Sequence, residues 1–392
     1  KQTLMHLLES NIQNYDWGDK DFLAQLQGRI PTGKPEAELW MGAHPKSPSQ
    51  IQGTSLNLKE VIERNPEKTL GDRAQDFGNE LPFIMKVLAI GNPLSIQVHP
   101  SEKQAIQGHT REITLGEQIA LDRRSYLSPR GKKEIVCALT NFDAKFGFRP
   151  VSDIVQIMTC STTPEFIGIV ETLKTSDSDD DKLRSTVQKI LNYSPEQVQT
   201  MILDMSTSIK EGVISERELE HFRKLIKIYP SDPGLLIFLL LNFVTLRPGE
   251  AMYVPPGVTH AYLQGHAIEI TSNSDNVLRC GLTSKHVDQE EFLSVAEFIS
   301  HIPTLQIPDS AMYTYESPTK FKLSRLEVQQ TWETTVDGAE ILFSTEGRFS
   351  ISNALGETMV AEQGVPVWIP ASDQSYTLSG QALIFRCSFT SG

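Results

Sequence analysis

RPGEAMYVPPGVTHAYLQG, residues 247–265, aligns without gaps to EQGVPVWIPASDQSYTLSG, residues 362–380. Gly249 meets Gly364, Val254 meets Ile369, Pro255 meets Pro370, Leu263 meets Leu378 and Gly265 meets Gly380. Each copy reads glycine, strand, proline, turn, strand, glycine. That order predicts a hairpin in a closed double-sheet barrel of the jelly-roll or cupin kind. Two copies predict two barrels in tandem. The turn of the first copy leads into His260, whereas the second has Ser375 at that position. One barrel is therefore expected to hold a metal-ligand position that the other lacks.

Outward from the repeat, the texture of the chain changes three times. ELPFIMKVLAIGNPLSIQVHP and KEIVCALTNFDAKFGFRP read as strands broken by turn residues, with NLKEVIERN and SEKQAIQG as short helices between. From about 151 to 232 apolar residues recur at three and four, the spacing of helices. Ser194-Pro195-Glu196 and Ser215 to Glu218 mark helix starts, the latter as a capping box, and the acidic run Asp177 to Asp181 reads as a solvated loop. Strand texture returns at Leu235 and lasts to about Asn276; a helix, QEEFLSVAEFI, and a β-rich segment follow. The fold class expected is mainly β, with tandem jelly-roll or cupin barrels and an inserted all-α domain. Residues 1–150 and 233–304 form the first barrel, 151–232 the insert, and 305–392 a C-terminal barrel lacking the metal histidine.

With 392 residues, 39% of them hydrophobic and 22% charged, the chain is long enough for two or three packed domains and too apolar for disorder. Its 36 basic and 49 acidic side chains leave a net charge of −13, which argues against a nucleic acid or an anionic membrane as partner. An anionic ligand would need cations gathered in one pocket. No apolar run approaches a membrane span, and KQTLMHLLES lacks the apolar core of a secretory signal. Cys137, Cys160, Cys280 and Cys387 are scattered and never in CxxC spacing, so neither a disulfide framework nor a thiolate zinc site is expected. A reducing, cytoplasmic compartment fits best.

PLSIQVHP (93–100) carries the chemistry. Ser95, Gln97 and His99 alternate with Leu94, Ile96 and Val98, so on a strand the polar trio faces one side. In GKKEIVCAL, Lys132 and Glu134 share a face. Read singly, Lys132 and Glu134 are a solvated edge pair and His260 a structural histidine. Read together, Gln97, His99, Glu134 and His260 make a zinc-type set, two imidazoles, a carboxylate and a neutral amide, with room left for a substrate oxygen. Downstream, Asp275 and Arg279 fall on one side of an extended chain. Lys86, inside PFIMKVLAI, must snorkel, pair or face a polar cavity.

NYDWG (14–18), AELWMGAHPKSPS (37–49), PFIMKVLAIGNPLSIQVHP (82–100), KEIVCALTNFDAKFGFRP (133–150), HAYLQG (260–265) and SDNVLRCGLT (274–283) resemble the type I mannose-6-phosphate isomerases. The resemblance covers nearly the whole chain and is weakest in the helical block and the C-terminal segment. It implies one zinc ion per chain, held by Gln97, His99, Glu134 and His260, and a sugar-phosphate substrate interconverted between mannose 6-phosphate and fructose 6-phosphate through a cis-enediolate. It places the catalytic arginine on Arg279 and the active-site lysine on Lys132. Where the family has Asn-His-Lys-Pro-Glu, this chain reads Arg130-Gly131-Lys132-Lys133-Glu134. Asp275 is then a candidate for acid–base help in ring opening. Lys86 is the first candidate for the phosphate, followed by Ser95 and Lys285. A monomer is expected. The rival readings are a non-catalytic bicupin that binds sugar and another cupin metalloenzyme, such as an iron dioxygenase.

Overall fold

Alternation along the strand Phe83–Ile90 sets the architecture of the first barrel. Met85, Val87 and Ala89 face a core shared with the C-terminal half, while Lys86, Leu88 and Ile90 face the barrel's own interior. The computed structural model describes residues 4–390. One layer of the first barrel orders Ala251–Val254, Glu134–Ala138, His260–Ser272, Phe83–Ile90, Glu38–Met41 and Asn11–Gln13. The other contains Ile96–Val98, Leu278–Gly281, Phe142–Phe148 and Leu241–Leu246. The long strand His260–Ser272 serves both layers. Its first half pairs with Gln97 and with Phe142–Phe148, its second with Phe83–Ile90 and Glu134–Ala138. Gly265 makes the bend at φ 120°, and a Cβ there would lie 2.4 Å from the carbonyl of Asn141.

The C-terminal barrel repeats the plan. Its seven-stranded layer includes Phe321–Val328, Ala382–Phe389, Glu340–Glu346 and Val367–Ile369, and it faces a four-stranded layer of Thr331–Thr335, Ser375–Gly380, Phe349–Asn353 and Thr358–Ala361. Met312–Thr314 and two strands from the start of the chain, His6–Glu9 and Gln50–Ile51, complete the seven. Between the barrels, Met85, Val87, Ile268 and Ile270 pack on Leu323, Ile341, Trp368 and Phe385.

The repeated segment is not a hairpin. Ala251–Val254 pairs with the Glu134 strand, whereas His260 pairs with Gln97 in the opposite layer. Likewise Val367–Ile369 and Ser375–Gly380 belong to different sheets. The proline turn carries the chain across the barrel, so the two strands face each other over its interior. Both copies keep positive φ at the aligned glycines, Gly249 with Gly364 and Gly265 with Gly380.

Five helices, from Val151–Met158 to Glu216–Ile228, pack on the outer face of the Ile96–Val98 layer. Three local expectations are corrected. Leu235 opens no strand: Gly234–Phe238 is a fully buried helical turn, and strand begins at Leu241. A short apolar run with no solvent face has no period to read. Asp179, Asp180 and Asp181 form not a loop but the first turn of Asp179–Leu191, where carboxylates favour the helix N-terminus. Ser215 accepts from the Glu218 amide, yet Glu218 does not turn back to complete a capping box. Its buried carboxylate binds Lys145 and Arg149 of the barrel instead, beside Asp143 with Arg217 and His221.

The second barrel is filled by Leu342, Phe349, Ile351, Ile369 and Leu378. Asp373, aligned with Val258 of the first copy, is buried, and among the described residues neither of its carboxylate oxygens is hydrogen-bonded. Burial pushes its carboxyl from 3.8 up to about 6. Because the folded value is raised, its contribution is whole below pH 3.8 and is lost as the pH climbs through about 6. Asp373→Asn is therefore expected to stabilise the protein at pH 8 by about 1 kcal/mol, solvent screening included, and to gain nothing near pH 3.5. Melting curves of both proteins at the two pH values check this; a gain independent of pH would contradict it.

Candidate active site and metal centre

Two rows of side chains face each other inside the first barrel. In one layer His260, Gln97 and Arg279 stand directly opposite one another on three adjacent strands, so they project from the same face. In the other, Val136, Glu269, Lys86 and Trp40 form a row, with Glu134 one step along. Ile96 and Val98, pointing the other way, pack on the helices. Leu88, Ile90, Phe142, Phe146 and Leu246 belong to the barrel's apolar interior, with Phe146 directly opposite His260 in register.

His99, Glu134 and His260 are all buried, and one ligand atom from each lies within 4.8 Å of the others. His99 Nδ1 bonds the Asn276 carbonyl at 2.9 Å and His260 Nδ1 the Val258 carbonyl at 2.9 Å, which turns both Nε2 atoms toward Glu134. Burial, then the neighbouring His99, depresses His260 to about 4 and keeps it neutral, as a ligand must be. Gln97 spends its Nε2 on the Ser95 carbonyl at 3.4 Å and keeps Oε1 to offer. Tyr262 Oη donates to Glu134 Oε2 at 3.2 Å, fixing the carboxylate. Two imidazoles and a carboxylate, with an amide beside them, fit zinc with an open position.

Charge surrounds this set. Lys132 is not a solvated group: it is buried, 3.0 Å from Glu134 Oε1, the oxygen that His99 Nε2 approaches at 3.1 Å. Against the burial of Glu134, its three cationic or imidazole neighbours hold the carboxyl well below the usual range. Lys86 lies over the Trp40 ring at 4.8 Å. Burial alone would lower its pKa, but Glu38, Glu269, Glu134 and Asp275 raise it. Asp275 accepts from His44 Nε2 at 2.9 Å; burial opposes ionisation, yet His44, Lys86 and Lys132 bring its carboxyl down to about 2. Glu269 behaves oppositely. Burial first, then Glu134, pushes it up to about 8 against Lys86 and Lys132.

Arg279 is half-buried with the exposed Lys285 and Lys46 near it: burial first, then Arg279 and Lys46, lower the pKa of Lys285. Ser95 is half-buried at the start of the Gln97 strand. Thus Gln97, His99, Glu134, His260, Lys132, Lys86 and Arg279 share one interior. Lys285 stands at its mouth, and Asp275 is committed to His44. Sequence reading missed Glu269, Tyr262, His44 and Lys46. The rule that singled out Lys86, a charge inside an apolar run, would have found Glu269 in AIEIT (267–271).

The fold and this site define a cupin metalloenzyme with a zinc-type centre facing buried lysines and an arginine. Residues 5–151 match the catalytic domain of type I phosphomannose isomerase. The chain is 34% identical to the mannose-6-phosphate isomerase of Salmonella typhimurium, over 97% of this chain and 99% of that one. To the human mannose-6-phosphate isomerase it is 28% identical, over 97% of each. It superposes at a TM-score of 0.90, with 33% identity over 99% and 100% of the two chains, on a mannose 6-phosphate isomerase crystallised with zinc and yttrium. The chain belongs to the type I mannose-6-phosphate isomerases and is a zinc enzyme of that kind.

Proposed function

We propose that the protein interconverts mannose 6-phosphate and fructose 6-phosphate by moving a proton between C1 and C2 through a cis-enediolate. The observation that carries this reading is the single interior in which the His99–Glu134–His260 set faces Lys132, Glu269 and Arg279. Zinc, when bound, supplies Lewis-acid polarisation of a sugar oxygen. The guanidinium of Arg279, next to Gln97 in register and free of protein partners among the described residues, stabilises the oxyanion. Lys132 is the group best placed to move the carbon-bound proton. Glu269, protonated up to about pH 8, serves the sugar oxygens as proton donor in ring opening. Asp275, held ionised, orients His44 rather than donating a proton. Lys86 lies deep in the interior over the Trp40 ring, under the attraction of Glu38, so the phosphate is held at the mouth by Lys285, Lys46 and Ser95. One chain supplies every group, which supports a monomer. Four unpaired cysteines support a reducing, cytoplasmic setting.

A coupled assay on mannose 6-phosphate, with zinc quantified in the same sample, tests the reading. Turnover is expected to track bound zinc at one per chain, and zinc-loaded protein without turnover would overturn it. Glu269→Gln is expected to keep zinc and lower kcat by about 100-fold or more. Because the acid form is needed, wild-type kcat/KM should fall above about pH 8, and the variant should lack that limb. An unchanged alkaline limb would remove Glu269 from the proton path.

A further inference from the structure

Resting on that reading, we infer that Asp232, at the exit of the helical insert, is a positioning residue for the cationic wall of the active site. Arg279 lies on Leu278–Gly281, an edge strand paired on one side only, to Ile96–Val98, with its register broken between Arg279 and Gly281. No hydrogen bond or ion pair among the described residues holds its guanidinium, so its aim depends on its backbone. That backbone is fixed from outside the barrel.

Asp232 Oδ2 accepts from the Leu282 amide at 2.8 Å and the Thr283 amide at 3.4 Å, while Oδ1 accepts from the Gly234 amide at 2.7 Å. One carboxylate thus ties the last residues of the insert to the loop that follows Arg279. Leu282 is buried in the left-handed region at φ 55°, a conformation a leucine keeps only when its surroundings impose it. The two segments also touch backbone to backbone. A Cβ on Gly281 would lie 2.6 Å from Gly234 Cα, and one on Gly234 would lie 2.7 Å from the Leu282 amide nitrogen. The clamped loop runs on to Lys285, whose amide bonds Thr283 Oγ1 at 3.0 Å. The two amides that Asp232 holds, Leu282 and Thr283, stand between Arg279 and Lys285 in the chain, so the clamp sets both. The helical block, anchored to the barrel through Glu218, Arg217 and His221, is the rigid body from which the clamp acts.

The test is steady-state kinetics on the zinc-loaded full chain. Asp232→Ala is expected to lower kcat/KM by about 10- to 100-fold, the cost of an ångström-scale misplacement, with one zinc per chain retained. Asp232→Asn, which keeps the shape and one acceptor, is expected to recover most of that loss. In an Arg279→Ala, Lys285→Ala background the same Asp232→Ala change is expected to cost no more than about threefold, because what it positions is already gone. Wild-type kinetics in Asp232→Ala, or the same fold loss in both backgrounds, would overturn the inference. Should the alanine variant not fold, Asp232→Asn carries the comparison, its smaller loss again expected to vanish in that background. An inactive zinc-loaded wild type would defeat the isomerase reading itself, and this one with it.

Discussion

Arg279→Ala is expected to lower kcat by about 1000-fold or more while zinc stays bound at one per chain and KM changes little. The expectation follows from register. Arg279 is directly opposite Gln97, which is directly opposite His260, so the guanidinium stands two strands from an imidazole of the metal set. On the reading proposed above, a group there meets the C1–C2 end of the sugar, where negative charge develops, and not the phosphate at the far end. An interaction made only as charge develops appears in kcat, whereas one made equally in the bound substrate appears in KM. Arg279→Lys keeps the charge but loses the planar fork and should fall between wild type and alanine. Metal analysis beside the kinetics separates this from loss of the centre. A variant with normal kcat and a raised KM would move Arg279 to the phosphate and leave the oxyanion to other groups.

The metal set was legible because a strand has a period of two. Gln97 and His99 cannot share a face with Ile96 and Val98, and both apolar residues are spent on the helices. The repeat disclosed two barrels for a similar reason, since glycines at positive φ and a proline corner leave residue types that survive when pairing partners change. What stayed hidden depends on contacts between distant residues. Nothing local says that His6 pairs with Trp368, which commits a strand from the start of the chain to the last barrel. Glu269 stands in an apolar run as Lys86 does, but only the fold shows the two directly opposite each other. Asp275 reads as a turn carboxylate until His44, from another part of the chain, closes on it. Lys46 looks like ordinary surface charge, and only the fold brings it to one mouth with Lys285, which the sequence already offers for the phosphate. Asp232 follows the same rule: its sequence neighbours are Pro-rich loop, while its partners are Leu282 and Thr283.

Chelation of zinc is expected to abolish turnover, and readdition of zinc to restore it. Retained turnover in a verified metal-free sample would defeat the assignment. Two substitutions separate ligand from neighbour. His260→Ala removes one of two imidazoles whose Nδ1 atoms are fixed by backbone carbonyls and whose Nε2 atoms face Glu134. Losing an orienting partner alone costs about 10- to 100-fold in metal affinity, so losing the ligand should cost more than about 100-fold. Lys132→Met should act in the opposite direction. The Lys132 ammonium lies 3.0 Å from Glu134 Oε1, the oxygen that also faces His99 Nε2 at 3.1 Å, so it competes with a cation for that carboxylate. Removing a like charge beside the metal position favours the metal, so this variant should bind zinc more tightly than wild type while its turnover collapses. Zinc affinities measured by competition with a chromogenic chelator decide the matter. If Lys132→Met binds zinc as weakly as His260→Ala, the lysine supports the centre structurally and its place in proton transfer falls.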